Sequence, residues 1–133
     1  MVHYNLLPDK GWECDLDHME SILVSHNRGG SGIASSNNHN VVRGVLINNP
    51  SNPTGAVYSE EHLVQIIKLA EKYRVPIIAD EIYGDMTFGR GGKIFHPMAN
   101  VAAMMRYSVP IITASGLGKQ CKFHRTSCHS PYF

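Results

Sequence analysis

Residues Val75-Pro76-Ile77-Ile78-Ala79-Asp80-Glu81-Ile82-Tyr83 constrain this chain most. The apolar run suits a buried parallel strand, and an acid closes it. Open α/β sheets bind ligands outside the carboxyl ends of their strands, so Asp80 stands where such a fold does its chemistry. Two other apolar runs carry polar motifs at the same end. Val41 to Ile47 leads into Asn48-Asn49-Pro50-Ser51-Asn52-Pro53-Thr54-Gly55, and Val109 to Ala114 leads into Ser115-Gly116-Leu117-Gly118-Lys119. An amide, an acid with a phenol, and a lysine each follow a predicted buried strand.

The segments between these runs complete the pattern. Ser59 is placed to cap a helix, with Glu60 and Glu61 in its first turn, where acids complement the helix dipole. Leu63, Ile66, Ile67, Ala70 and Tyr73 then form one apolar stripe, while Lys68, Glu71 and Lys72 face water. Residues Pro97 to Met105 have the composition of a second helix. Strand, helix, strand, crossover and strand is the logic of a parallel sheet with flanking helices, so the fold class is α/β. Ahead of this unit, His3 to Leu7 reads as a short strand ended by Pro8. Asp15 reads as the cap of a helix carrying Leu16, Met19, Ile22 and Leu23 and ending near Ser25. Residues 26–40 are rich in Gly, Ser and Asn and read as a surface loop or insertion, and Met86 to Lys93 reads as a glycine-rich loop. Periodicity stops after Lys119.

Bulk properties exclude several partners. A net charge of +1 with 17% charged residues is no footprint for nucleic acid. No apolar run has the length of a membrane span, and the first residues show no secretory pattern. Three cysteines without framework spacing point to a reducing, cytoplasmic compartment. The histidines are scattered and are expected mostly on surfaces or loops.

Each polar motif has a chemical reading and a plainer one. Lys119, behind a small-residue turn, can be partly desolvated and form a Schiff base with an aldehyde; alone, it would be a solvated turn lysine. Asp80 can hold a heterocyclic nitrogen protonated, or simply terminate a turn. Tyr83, three residues on, can offer its phenol to the same ligand, or pack as a core aromatic with a wet hydroxyl. Asn52, between Pro50 and Pro53, can aim one hydrogen bond from a rigid backbone, or serve as a turn asparagine. Glu81 and Asp85 read as structural or solvent-facing. The Gly118-Lys119 turn fails the nucleotide-loop pattern, because Thr113 and Gln120 stand where a glycine and a Ser/Thr are needed. Cys121, His124, Cys128 and His129 are zinc-type ligands without the spacing of a common finger, so no metal site is assigned.

Taken together, NNPSNPTG, VPIIADEIYGDM and the Gly-Leu-Gly-Lys turn resemble the class I, fold type I aminotransferases that depend on pyridoxal 5′-phosphate. The resemblance runs from about Tyr4 to Lys119. It implies that residues 1–119 form part of the large, cofactor-binding domain, with 26–40 as an insertion and 120–133 as a non-homologous tail. It implies that Lys119 binds the cofactor as a Schiff base and shuttles the proton at the substrate α-carbon. Asp80 pairs with the pyridine nitrogen, and Asn52 and Tyr83 hydrogen-bond the 3′-oxygen. The implied reaction moves an amino group from an amino acid to a 2-oxo acid. The leading YNLLPDKGWECDL and the two central motifs are most similar to members acting on tyrosine or another aromatic amino acid. The family also implies a homodimer. One departure stands out: Ser127 occupies the place of the family's phosphate-gripping arginine. Two other outcomes fit the same residues, a related reaction such as carbon–sulfur lysis, and an inactive product that keeps only the fold signature.

Overall fold

The computed structural model describes residues 1–27, 41–87 and 94–116. The chain begins with a small antiparallel ladder. β1 (Leu6–Leu7) pairs with β2 (Glu13–Cys14), Leu6 opposite Cys14 and Leu7 opposite Glu13. The strand expected over His3 to Leu7 is thus cut to two residues. Pro8–Lys10 forms a 3₁₀ turn, and Gly11 and Trp12 reverse the chain at φ 68° and 66°. Glycine enters that left-handed region freely; tryptophan does so only under the constraint of the turn.

Helix α1 (Leu16–Asn27) starts as expected, with Asp15 Oδ1 accepting from the His18 N–H at 3.0 Å. It runs two residues past the expected end near Ser25, where Asn27 is tied to the segment that begins at residue 41. Asn27 Oδ1 accepts from Val42 N–H at 3.0 Å, and its Nδ2 donates to Val42 O at 3.2 Å. His26 and Asn27 are therefore helical rather than part of the predicted insertion. Residues 28–40, with most of that insertion, lie outside the described residues, as do 88–93 of the glycine-rich loop.

The core unit is a three-stranded parallel sheet in the order β3 (Val45–Asn48), β4 (Ile77–Asp80), β5 (Ile111–Ala114). α2 (Glu60–Tyr73) links the first pair and α3 (Met98–Met104) the second. Ser59 Oγ accepts from the His62 N–H at 3.2 Å and caps α2, and Arg74 at φ 53° ends it. The predicted stripe is the packed one: Leu63, Ile66, Ile67 and Ala70 are buried, and Tyr73 packs against the core. α2 contacts both α1 and α3. The helices cover the sheet face made by Val45, Ile47, Ile77 and Ala79.

The other face corrects the sequence reading. Buried strands were expected, but Leu46 is 50%, Ile78 40% and Ile112 61% exposed. These three side chains sit in register, Leu46 beside Ile78 and Ile78 beside Ile112. Strands that are apolar at every position suit a sheet covered on both faces. The described elements cover one. Among the described residues no helix is long and apolar enough to cross a membrane.

Candidate functional site

The parallel arrangement brings the carboxyl ends of three strands to one edge. β4 is the middle strand, so Asp80 is central there, flanked in register by Asn48 of β3 and Ala114 of β5. Its half-buried side chain faces the sheet side that the helices leave open, two residues on from Ile78. Asp80 Oδ1 has a long contact, 3.4 Å, with the Ile82 N–H. The backbone ladder continues past the strand: Asn49 N–H donates to Asp80 O at 3.0 Å, and Glu81 N–H donates to Ala114 O at 2.9 Å.

The loop after β3 folds on itself. Ser51 N–H donates to Ala56 O and Gly55 N–H to Ser51 O, both at 2.8 Å. Asn52, exposed on this loop, points its Nδ2 at the Tyr83 hydroxyl, 3.5 Å away. Two sequence-predicted residues, 31 positions apart, are therefore adjacent in space, at the same strand-end edge as Asp80. Lys119 lies outside the described residues. The described chain reaches Gly116. A Cβ added at Gly116 would come within 2.8 Å of Ile82 Cγ1. The backbone three residues before Lys119 thus presses against the segment joining Asp80 to Tyr83, an approach only glycine permits without displacement. Cys121, His124, Cys128 and His129 also fall outside the described residues. Among the described ones, no group of histidine, cysteine and acidic side chains is arranged to hold a metal ion.

Three features escaped the sequence reading. Asn48, beside Asp80, has a buried side-chain oxygen without a hydrogen-bond partner among the described residues. A buried acceptor left unmet costs about 1–3 kcal/mol, so a donor is called for at this edge. Only its place one residue past the apolar run could have flagged it. Asn49, 3% exposed, uses its Oδ1 to accept from Tyr58 N–H at 2.9 Å. His62, expected on a surface, is 6% exposed and accepts from Cys14 N–H at 3.1 Å. Its signal was its place one turn before Ile66, on the margin of the apolar stripe.

Glu81 is structural, as its position suggested. It is 8% exposed, and its Oε1 accepts from Met98 N–H at 2.7 Å at the start of α3. Burial raises its carboxyl above the ordinary glutamate range, partly offset by that N–H. Between the unfolded and folded values the folded chain therefore binds more protons than the unfolded one. This contribution to stability is complete below the ordinary value and is lost as pH rises through the folded value. Glu81→Gln, neutral throughout yet still offering an oxygen to Met98, is expected to flatten stability against pH in that window. Urea unfolding at a series of pH values reads this directly, and a slope equal to the parent's would refute it.

Amide, carboxylate and phenol thus stand at the strand ends of an α/β unit, the edge outside which open α/β sheets bind ligands. The profile of the family "Aminotransferase class I and II" matches residues 1–123. The chain belongs to that family. It is 41% identical to a tyrosine aminotransferase of Dictyostelium discoideum, over 89% of this chain and 23% of that protein. It is 40% identical to the mouse tyrosine aminotransferase, over 88% and 21%. The chain thus spans less than a quarter of the length of these curated relatives. Among solved structures, an aminotransferase from Escherichia coli superposes with a TM-score of 0.67 at 32% identity, over 89% of this chain and 24% of that one. A PLP-bound C–S lyase from Staphylococcus hominis superposes at 0.65 with 26% identity, over 89% and 26%.

Proposed function

We propose that this chain forms the cofactor-gripping strand edge of a pyridoxal-phosphate aminotransferase that takes the amino group of tyrosine or another aromatic amino acid and delivers it to a 2-oxo acid. The observation that carries the reading is the Asn52 Nδ2 to Tyr83 Oη approach of 3.5 Å at the edge centred on Asp80. A carboxylate and two hydrogen-bonding groups suit a flat ring with a basic nitrogen on one side and an anionic oxygen on the other. The unmet Asn48 oxygen and the close passage of Gly116 support a ligand at this edge.

When bound, pyridoxal phosphate supplies an aldehyde for the substrate amine and a ring that delocalises the electrons of the broken Cα–H bond. The Asp80 carboxyl would pair with the ring nitrogen from the centre of the strand-end edge. Asn52 Nδ2 and the Tyr83 hydroxyl, 3.5 Å apart, would both donate to the ring oxygen. Lys119 would be the covalent anchor and the base that takes the α-proton, as an amine with a movable proton can. A homodimer and a cytoplasmic location belong to the same reading.

The test is to dialyse the full-length protein after loading with pyridoxal phosphate and read the retained cofactor's absorbance. Tyrosine and a 2-oxo acid are then supplied, and aryl 2-oxo acid is measured. Retention plus product is expected. Asn52→Ala and Tyr83→Phe are each expected to lower retention about threefold to tenfold, the scale of one hydrogen bond. Unchanged retention in both would remove their assigned roles. The C–S lyase likeness supports a second reading on the same cofactor. Release of a thiol, ammonia and a 2-oxo acid from a cysteine thioether and water, with no product from tyrosine, would decide for it.

A further inference from the structure

The loop that carries Asn52 is anchored from an unexpected direction. Its distal root is Tyr58, 2% exposed, whose backbone N–H is held by Asn49 Oδ1 at 2.9 Å. The Tyr58 side chain does not end in solvent or in plain apolar packing. The Cys14 thiol donates to the Tyr58 hydroxyl at 3.3 Å, and the His62 ring meets the Tyr58 ring edge-on, centroids 5.1 Å apart. His62 Nε2 accepts from Cys14 N–H at 3.1 Å, and its Nδ1 faces Glu13 Oε2 at 3.8 Å. The first contact makes Nε2 the unprotonated nitrogen, which leaves Nδ1–H toward the carboxylate. Tyr4 closes the group from the other side, donating from its hydroxyl to Leu46 O at 2.9 Å.

We propose that Tyr58, gripped by Cys14 and His62, is a positioning residue for Asn52, so that the β1–β2 ladder sets the reach of Asn52 toward Tyr83. The path is continuous. Cys14 of β2 fixes the Tyr58 side chain; the Tyr58 backbone fixes Asn49; Asn49 N–H is bonded to Asp80 O. Between those two roots the loop is closed by its own bonds from Ser51 and Gly55. Phenylalanine at 58 would fill nearly the same volume, so packing alone does not ask for a hydroxyl. A buried polar network is directional where an apolar contact is not, and it specifies one arrangement. Burial raises the Tyr58 and Tyr4 hydroxyls and the Cys14 thiol above their ordinary values, so all three stay neutral and hydrogen-bonding. The consequence for cofactor binding rests on the function proposed above; the consequence for the loop does not.

The experiment has two arms and two variants, Tyr58→Phe and Cys14→Ala, which break the same contact from opposite ends. In the first arm the protein carries no cofactor. Hydrogen exchange at the Ser51 and Gly55 amides is expected to quicken about threefold to tenfold in both variants, with a shift of the Asn52 side-chain amide resonances. Exchange and resonances that match the parent, even with a lower melting temperature, would overturn the proposal. In the second arm the pH midpoint of the bound cofactor's absorbance is compared among Tyr58→Phe, Asn52→Ala and the double variant. Coupling requires the double variant to equal Asn52→Ala alone, and additive shifts would overturn it. If the protein retains no cofactor while the first arm shows its effect, the functional reading falls and the positioning role stands.

Discussion

Lys119→Ala is expected to abolish retention of pyridoxal phosphate through dialysis and to reduce amino-group transfer at least about 10²- to 10⁴-fold, the share of catalysis that proton transfer alone supplies. The larger part of that range is expected, because one side chain is assigned two duties, covalent anchor and base. The assignment depends on where the chain runs. β5 ends at Ala114 in register with Asp80, and Gly116 lies against Ile82, so residues 115 and 116 leave the sheet alongside the Asp80–Tyr83 segment. Lys119 follows three residues later. Lys119→Arg makes the sharper control. It keeps the positive charge but remains protonated at any workable pH, so it neither attacks an aldehyde nor takes a proton. Loss of retention in both variants separates covalent anchoring from simple charge attraction. Retention at the parent level in Lys119→Ala would move the anchor elsewhere and sink the reading.

How much of this was legible in the sequence depends on how local the determining physics is. α2 was fully readable, since its cap, its acidic first turn and its apolar stripe all lie within one turn or two of each other. The three parallel strands were readable as strands for the same reason. Their burial was not. Val45 to Ile47 and Ile77 to Ala79 are apolar at every position, yet Leu46 and Ile78 are exposed. An apolar residue records what a complete fold would cover, not what the described elements cover. The β1–β2 ladder escaped because two-residue strands have no period to detect, and because Trp12 at φ 66° gives no turn signature. At the site, Asn52 and Tyr83 were found through motifs, since nothing local connects residues 31 positions apart. The Cys14, Tyr58 and His62 group had no such help. Each looked ordinary by itself, an unpaired cysteine, a tyrosine before a helix cap, a histidine at the edge of a stripe. Contacts spanning 44 and 48 positions make it a network.

Asp80→Ala is expected to separate function from stability more cleanly than any other single change in this chain. Among the described residues the Asp80 carboxylate makes one long contact, 3.4 Å to Ile82 N–H. Removing a contact of that kind costs no more than about 1 kcal/mol, so thermal unfolding should move little. If the carboxylate instead holds a charged ring nitrogen, its loss removes a charge-assisted bond of about 1.5–3 kcal/mol, which weakens cofactor binding about tenfold to a hundredfold. The catalytic loss should be larger than the binding loss. The charge matters most as electrons move into the ring, and removing one such preorganised electrostatic partner costs about 10²–10³ in rate. Asp80→Asn sharpens the test, because an amide preserves the shape and still accepts a hydrogen bond but does not balance a positive nitrogen. It should therefore bind the cofactor better than Asp80→Ala yet recover little of the rate. A variant that unfolds at the parent temperature and binds cofactor tenfold more weakly or worse has lost a ligand contact, not a strut. The reverse pattern, a large drop in melting temperature with cofactor affinity intact, would make Asp80 a turn residue and leave the strand edge without its charge.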